Sequence, residues 1–230
     1  IPYADMIRGK KIRTFPMDRY TPAEFYYIHF SDAGKIYDLL NLLDETAGAA
    51  RRQLSPVSVD FMTREKILTQ LALKVGPEYR GLFSASIEDM VIAGSDPFIV
   101  EGSDVTVILR AKNPSQFLSA VKSFRRNFKE KFRCEEKDLT VAGVTGTLIS
   151  SRGREVNSLL FALPDGTFIV TNSAGAAGIV LETYMGRHPS MAEAPDYLYM
   201  RTIFPADNTE EAFIYISDSF VKHLSSPLLK

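Results

Sequence analysis

The sequence predicts an α+β fold: an antiparallel or mixed sheet with helices packed on one face, built from strand-cap-helix units. Two observations carry this. Short runs rich in β-branched and aromatic residues begin near residues 25, 105, 167 and 212, and each is followed by a polar capping residue and an amphipathic stretch. Between these units stand short apolar segments joined by Gly, Pro, Asp and Ser, and connections that tight require antiparallel partners.

Taken in order, residues 1–20 read as an N-terminal arm or linker. Arg8, Lys10, Lys11 and Arg13 stand beside Ile7, Ile12 and Phe15, and Pro2 and Pro16 stop any long helix. Residues 21–230 read as a single α+β domain, with a division into two lobes near 112 as the alternative. Phe25–Phe30 is too short for a helix and reads as a strand. Ser31 or Asp32 then caps a helix carrying Ile36, Leu39, Leu40 and Leu43. A further helix is expected from Thr63 to Leu73. Ile87–Ala93 reads as a strand that turns at Gly94-Ser95-Asp96-Pro97 into residues 98–100.

Val105–Ala111 is the second unit's strand. Asn113 and Pro114 supply a cap and a first-turn proline, and Phe117, Val121, Phe124, Phe128 and Phe132 form the apolar stripe of a long helix. Leu139–Val144 is expected to turn at Gly146 into Thr147–Ser150. Leu159–Leu163 turns at Pro164-Asp165-Gly166 into Thr167–Thr171. Asn172 or Ser173 then caps a helix with Ala177, Val180, Leu181 and Tyr184, ended by Gly186. Asp196–Ile203 is a helix stopped by Pro205. Ala212–Ile216 is the last strand, and Asp218 caps the helix bearing Phe220, Val221 and Leu224.

The chain has 230 residues, 45% hydrophobic and 24% charged, enough to build a core. A net charge of −1 provides no global attraction to nucleic acid or anionic lipid. No apolar run reaches the ~18 residues of a membrane span. Cys134 is the single cysteine, so an internal disulfide is impossible. A first residue Ile1 in place of Met, and an end at Lys230 with no stop signal, predict a piece of a longer chain.

No metal, nucleotide or nucleophile motif stands out, and no cofactor is expected. His29, His188 and His223 lack metal-ligand spacing. His29 reads as a structural, solvent-facing strand residue, and His188 as a complement to a helix C-terminus. Cys134 follows Lys131 and Arg133, cations able to lower its pKa, but reads first as a small residue at a helix end. Gly175-Ala176-Ala177-Gly178 lies inside a helix, and reads as close packing. The doubled Gly-Ser-Asp at 94–96 and 102–104 places Asp96, Glu101 and Asp104 on neighbouring turns. They are calcium candidates, while turn chemistry alone explains the residue types. Between Lys112 and Arg133 bases dominate, and Lys122, Arg125, Arg126, Lys129 and Arg133 are electrostatic binding candidates beside a stripe that reads as core. The acids of 189–218 offer that helix an opposite charge pattern, within one chain or between chains.

Ala93–Phe98, Phe161–Phe168 and Pro189–Arg201, with the strand Ile169–Ser173, resemble segments of a bacterial family of large exported or membrane-anchored proteins, a domain-of-unknown-function family. The likeness covers mainly the C-terminal half. It implies an extracytoplasmic setting, in the periplasm or cell envelope, and carries over no catalytic residue. The expected function is a non-enzymatic structural or protein-interaction domain, its partner another segment of the same longer chain or an envelope protein. Sequence-specific nucleic acid is not expected, and a membrane is reached only through segments outside this chain. The alternatives are a hydrolase or transferase with a dispersed acidic site using Asp96 and Asp104, and an anionic-surface binder using the helix at 112–133.

Overall fold

A computed structural model describes residues 1–41, 63–95, 104–206 and 212–224. The apolar segments become β1 (Tyr26–Phe30), β2 (Ile87–Gly94), β3 (Thr106–Ala111), β4 (Glu135–Val141), β5 (Val144–Ser150), β6 (Asn157–Ala162), β7 (Thr167–Thr171) and β8 (Ala212–Tyr215). They form one sheet in the order β4-β5-β6-β7-β3-β2-β1-β8. Every neighbouring pair is antiparallel. β3 is hydrogen-bonded to β2 on one side and β7 on the other, so the sheet runs unbroken across residue 112.

The helices are α1 (Tyr3–Met6), α2 (Thr63–Gln70), α3 (Arg80–Ser86), α4 (Pro114–Phe132), α5 (Ala174–Tyr184), α6 (Pro195–Ile203) and α7 (Asp218–Leu224). Residues 36–41 are also helical. The α+β class and the antiparallel sheet agree with the sequence reading, but the layering is different. Helices cover both faces. Val91, Ala93, Ile108, Phe161 and Ile169 point to one core, shared with Ala177, Val180 and Leu181 of α5, Tyr197 of α6 and Met17. Their alternate neighbours Met90, Val107, Leu109, Leu160 and Val170 point to a second core, with Ile36, Leu71 and Val121. The reason is visible in β3, where Val107, Ile108 and Leu109 are all buried. A continuous apolar run marks a strand covered on both sides. α4 and α6 therefore lie against opposite faces, so among the described residues the sheet separates the bases of α4 from Asp196 of α6.

Residues 16–19 are not a linker. They form a 3-10 turn in which Met17 and Asp18 are fully buried, because the Met17 amide donates to Asp89 Oδ2 at 3.0 Å and the Thr21 hydroxyl to the Met17 carbonyl at 2.9 Å. Three of the expected caps hold. Asp32 accepts from the Gly34 amide, Asn113 from Gln116 and Ser173 from Ala176. The fourth cap is Ser217, whose Oγ accepts from the Phe220 amide at 3.0 Å; the Asp218 amide instead donates to Asp196 Oδ2.

The β6–β7 turn at Pro164-Asp165-Gly166 forms as expected, with Gly166 at φ +81° and Asp165 Oδ1 accepting from Thr167 N. The β4–β5 turn does not fall at Gly146. It falls at Ala142 (φ +49°) and Gly143 (φ +82°), the doubled positive φ that a two-residue hairpin favours. Gly146 lies inside β5 opposite Leu139.

Candidate functional site

Lys122, Arg125, Arg126 and Lys129 stand at i, i+3, i+4 and i+7, so α4 projects them from one flank beside its apolar stripe. That flank overhangs the sheet. The four side chains line a cleft of about 310 Å³ with Glu136 of β4, Thr147 and Ile149 of β5 and Leu160 of β6. Arg133, the fifth candidate, does not line it: it ends α4 in a left-handed conformation (φ +51°) and is exposed.

Arg125 is the built element of the cleft. It is only 5% exposed. Its Nη1 donates to Ser158 Oγ at 2.7 Å, and its Nη2 to the carbonyls of Thr147 at 2.8 Å and Ser158 at 3.1 Å. These acceptors are neutral. Burial pulls the guanidinium pKa down to about 10, so it stays charged at neutral pH. The carboxylate in the cleft, Glu136, is taken by Lys129 at 2.7 Å, whose hydrogen bond holds Glu136 below the usual glutamate range.

The other candidates separate. Asp96 and Glu101 lie outside the described residues. Asp104 accepts from the amide of Ser95 at 2.8 Å and from its hydroxyl at 3.0 Å, bonds that join the end of β2 to the approach to β3. Among the described residues no group of three His, Cys, Asp or Glu could hold a metal ion. Cys134 is buried just past the end of α4; burial raises its pKa, so Lys131 and Arg133 do not lower it, and its thiol sits against the Phe128 carbonyl. His188 pairs with Glu24 at 2.7 Å. The His223 side chain lies outside the described residues. The Gly178 position is roomy, its nearest prospective neighbour being Val141 Cγ1 at 3.6 Å.

On the opposite flank of α4 lies a larger cleft of about 410 Å³, within the size range of small-molecule sites. Phe117, Val121 and Phe124 of α4 form one wall, Leu82 and Phe83 of α3 another, and Met90, Val107 and Leu109 the floor. Among the described residues its charged lining groups are both cations, Lys74 and Lys112. Lys112 Nζ is anchored on the Ser84 carbonyl at 2.9 Å. Sequence reading places Phe117, Val121 and Phe124 on a core stripe and Met90, Val107 and Leu109 in strands, and makes no assignment for Leu82 and Phe83. The cleft arises where three segments converge, and periodicity carries no signal for that.

A buried polar network on the other face is also absent from the sequence reading. Asp18 accepts from the hydroxyl of Tyr27, from that of Tyr197 at 2.8 Å and from the Phe15 amide at 2.8 Å. Arg201 donates to the Tyr197 hydroxyl at 2.9 Å and lies 3.8 Å from the Phe213 ring centre, a cation–π contact. Burial raises the Asp18 pKa against these hydrogen bonds, and it raises Tyr27 and Tyr197 further, with Asp18's charge adding. His29 is buried, not solvent-facing: its Nε2 lies 2.8 Å from Asp89 Oδ1 and its ring stacks on Phe15 at 3.7 Å. Aromatic rings and backbone enclose the network, and its arrangement is that of a structural core.

No helix among the described residues is long and apolar enough to cross a membrane. Compared with protein-family models, with curated proteins and with solved structures, the chain shows no significant match.

Proposed function

We propose that this protein is a non-enzymatic binding domain that holds an acyl chain with an anionic head group in the cleft between α3 and α4. The observation that carries the reading is the lining: apolar walls on three sides, and, among the described residues, Lys74 and Lys112 as the charged groups. A few polar groups in an apolar pocket fix orientation, and burying the chain supplies affinity. Dodecanoate binding, followed by calorimetry below its micellar limit, is the test. Saturable binding is expected, weaker for dodecanol and for the Lys74→Gln/Lys112→Gln double variant. Ala120→Phe, which fills the cleft from α4, abolishes it while the protein stays folded. No saturable binding of dodecanoate to the wild-type protein rejects the reading.

A second observation favours the protein-interaction reading. β8 is the last strand in the sheet order, and around it Ile214, Ile216, Val221, Ile203 and Phe204 are each 45–55% exposed. A sheet edge that no described strand pairs, flanked by apolar side chains, is a template for an added strand. The occupant this edge suits is an extended apolar segment of an envelope protein, in the extracytoplasmic setting that the sequence resemblance implies. Ile214→Lys/Ile216→Lys is expected to abolish recovery of such a partner after cross-linking in intact cells. Equal recovery with wild type and variant counts against it.

A further inference from the structure

We infer that the basic cleft between α4 and strands β4–β6 binds the phosphoryl group of a phosphate monoester, with Arg125 as its fixed cation. The inference is independent of the acyl-chain reading, since the two clefts lie on opposite flanks of α4. Among the described residues four cations, Lys122, Arg125, Arg126 and Lys129, share about 310 Å³ with one carboxylate, Glu136, so the cleft is strongly positive. Arg125 is held in place by three neutral oxygens, and among the described residues it forms no ion pair. A rigid, buried guanidinium whose acidic neighbour in the cleft, Glu136, is already bonded to Lys129 is preorganised for an anion, because its desolvation precedes the anion's arrival. A dianion with several acceptor oxygens matches a cluster of this charge better than a single carboxylate does. Ile149 and Leu160 on the cleft floor offer apolar surface to the carbon skeleton of an ester.

The surroundings select a compact anion over a polyanion. β4, the edge strand among the described residues, exposes Glu136 and Asp138 on the cleft's face of the sheet, and a nucleic-acid backbone tracking past the cleft would meet both. The same phosphate monoester chemistry is offered by a soluble metabolite and by the head group of phosphatidic acid.

The experiment separates these sources on the whole protein. Calorimetry at low salt with glycerol 1-phosphate reads the soluble ligand. Co-sedimentation with phosphatidylcholine vesicles, with and without phosphatidic acid, reads the lipid. Lys122→Gln/Arg126→Gln removes two exposed cations without touching the buried Arg125, so the fold is retained. It is expected to weaken binding by roughly tenfold or more, since charge-assisted hydrogen bonds are lost. Arg125→Lys keeps the charge but loses the planar fork, and is expected to weaken binding as well. Saturable binding of glycerol 1-phosphate that the double variant weakens assigns a soluble ligand. Binding only to vesicles containing phosphatidic acid, weakened the same way, assigns the lipid. Binding to neither, or binding that the double variant leaves unchanged, overturns the inference.

Discussion

Replacing Asp18 by alanine is expected to lower the unfolding free energy by about 3–5 kcal/mol, the range for breaking a buried charged network by removing one partner. Three donors converge on this carboxylate: two tyrosine hydroxyls and the Phe15 amide. Alanine leaves all three without that acceptor, in a site where Tyr27 and Tyr197 are fully buried and Arg201 is 2% exposed. An unmade buried hydrogen bond costs more than a made one contributes, so the orphaned donors add to the loss. A urea titration measures it as a shift in midpoint with an unchanged slope. The pH dependence has a definite sign. Burial raises the Asp18 pKa, so the folded state keeps a proton that the unfolded chain has already released. Between the unfolded value of about 3.9 and the higher folded value, the contribution of Asp18 to stability therefore falls as pH rises. Asp18→Asn has no such slope. The advantage of wild type over Asp18→Asn is expected to shrink with rising pH across that window, and an advantage that grows there rules out the assignment.

This network shows where sequence reading stops. Asp18 and Tyr197 are 179 residues apart in the chain, and nothing local to either position announces the other. The arm that carries Asp18 has the basic, proline-broken composition of a linker, yet Met17 and Asp18 are core. Signals confined to one element were legible: the cap at Asn113, the apolar stripe of α4, the Pro164-Asp165-Gly166 turn. The basic flank of α4 was legible too, because Lys122, Arg125, Arg126 and Lys129 repeat at helical spacing. What it faces was not, since Ser158, Thr147 and Leu160 reach it through two strand pairings. The assignment of helices to faces failed for the same reason. Alternation distinguishes two sides of a strand only when one of them is wet, and β3 and β7 are buried on both.

Substitutions at Gly146 and Gly178 are expected to move stability in opposite directions. A Cβ at residue 146 would stand 2.5 Å from Phe161 Cδ1 and 2.7 Å from the Leu160 carbonyl oxygen. Phe161 is fully buried and the Leu160 carbonyl belongs to β6, so neither neighbour has room to withdraw. Valine suits a strand intrinsically, by up to about 1 kcal/mol. Forcing it into this contact costs about 1–3 kcal/mol, and at less than van der Waals separation from backbone the upper end applies. The clash wins, and Gly146→Val is expected to destabilise by about 2–3 kcal/mol. At residue 178 the nearest atom to an added Cβ is Val141 Cγ1 at 3.6 Å, an ordinary contact. Gly178 lies within α5, where alanine exceeds glycine by roughly 0.5–1 kcal/mol, so Gly178→Ala is expected to stabilise. Thermal unfolding of the two variants beside wild type tests the pair, and Gly146→Val melting at or above the wild-type temperature would show that β5 does not approach β6 as closely as the register from Thr147 to Ser150 requires.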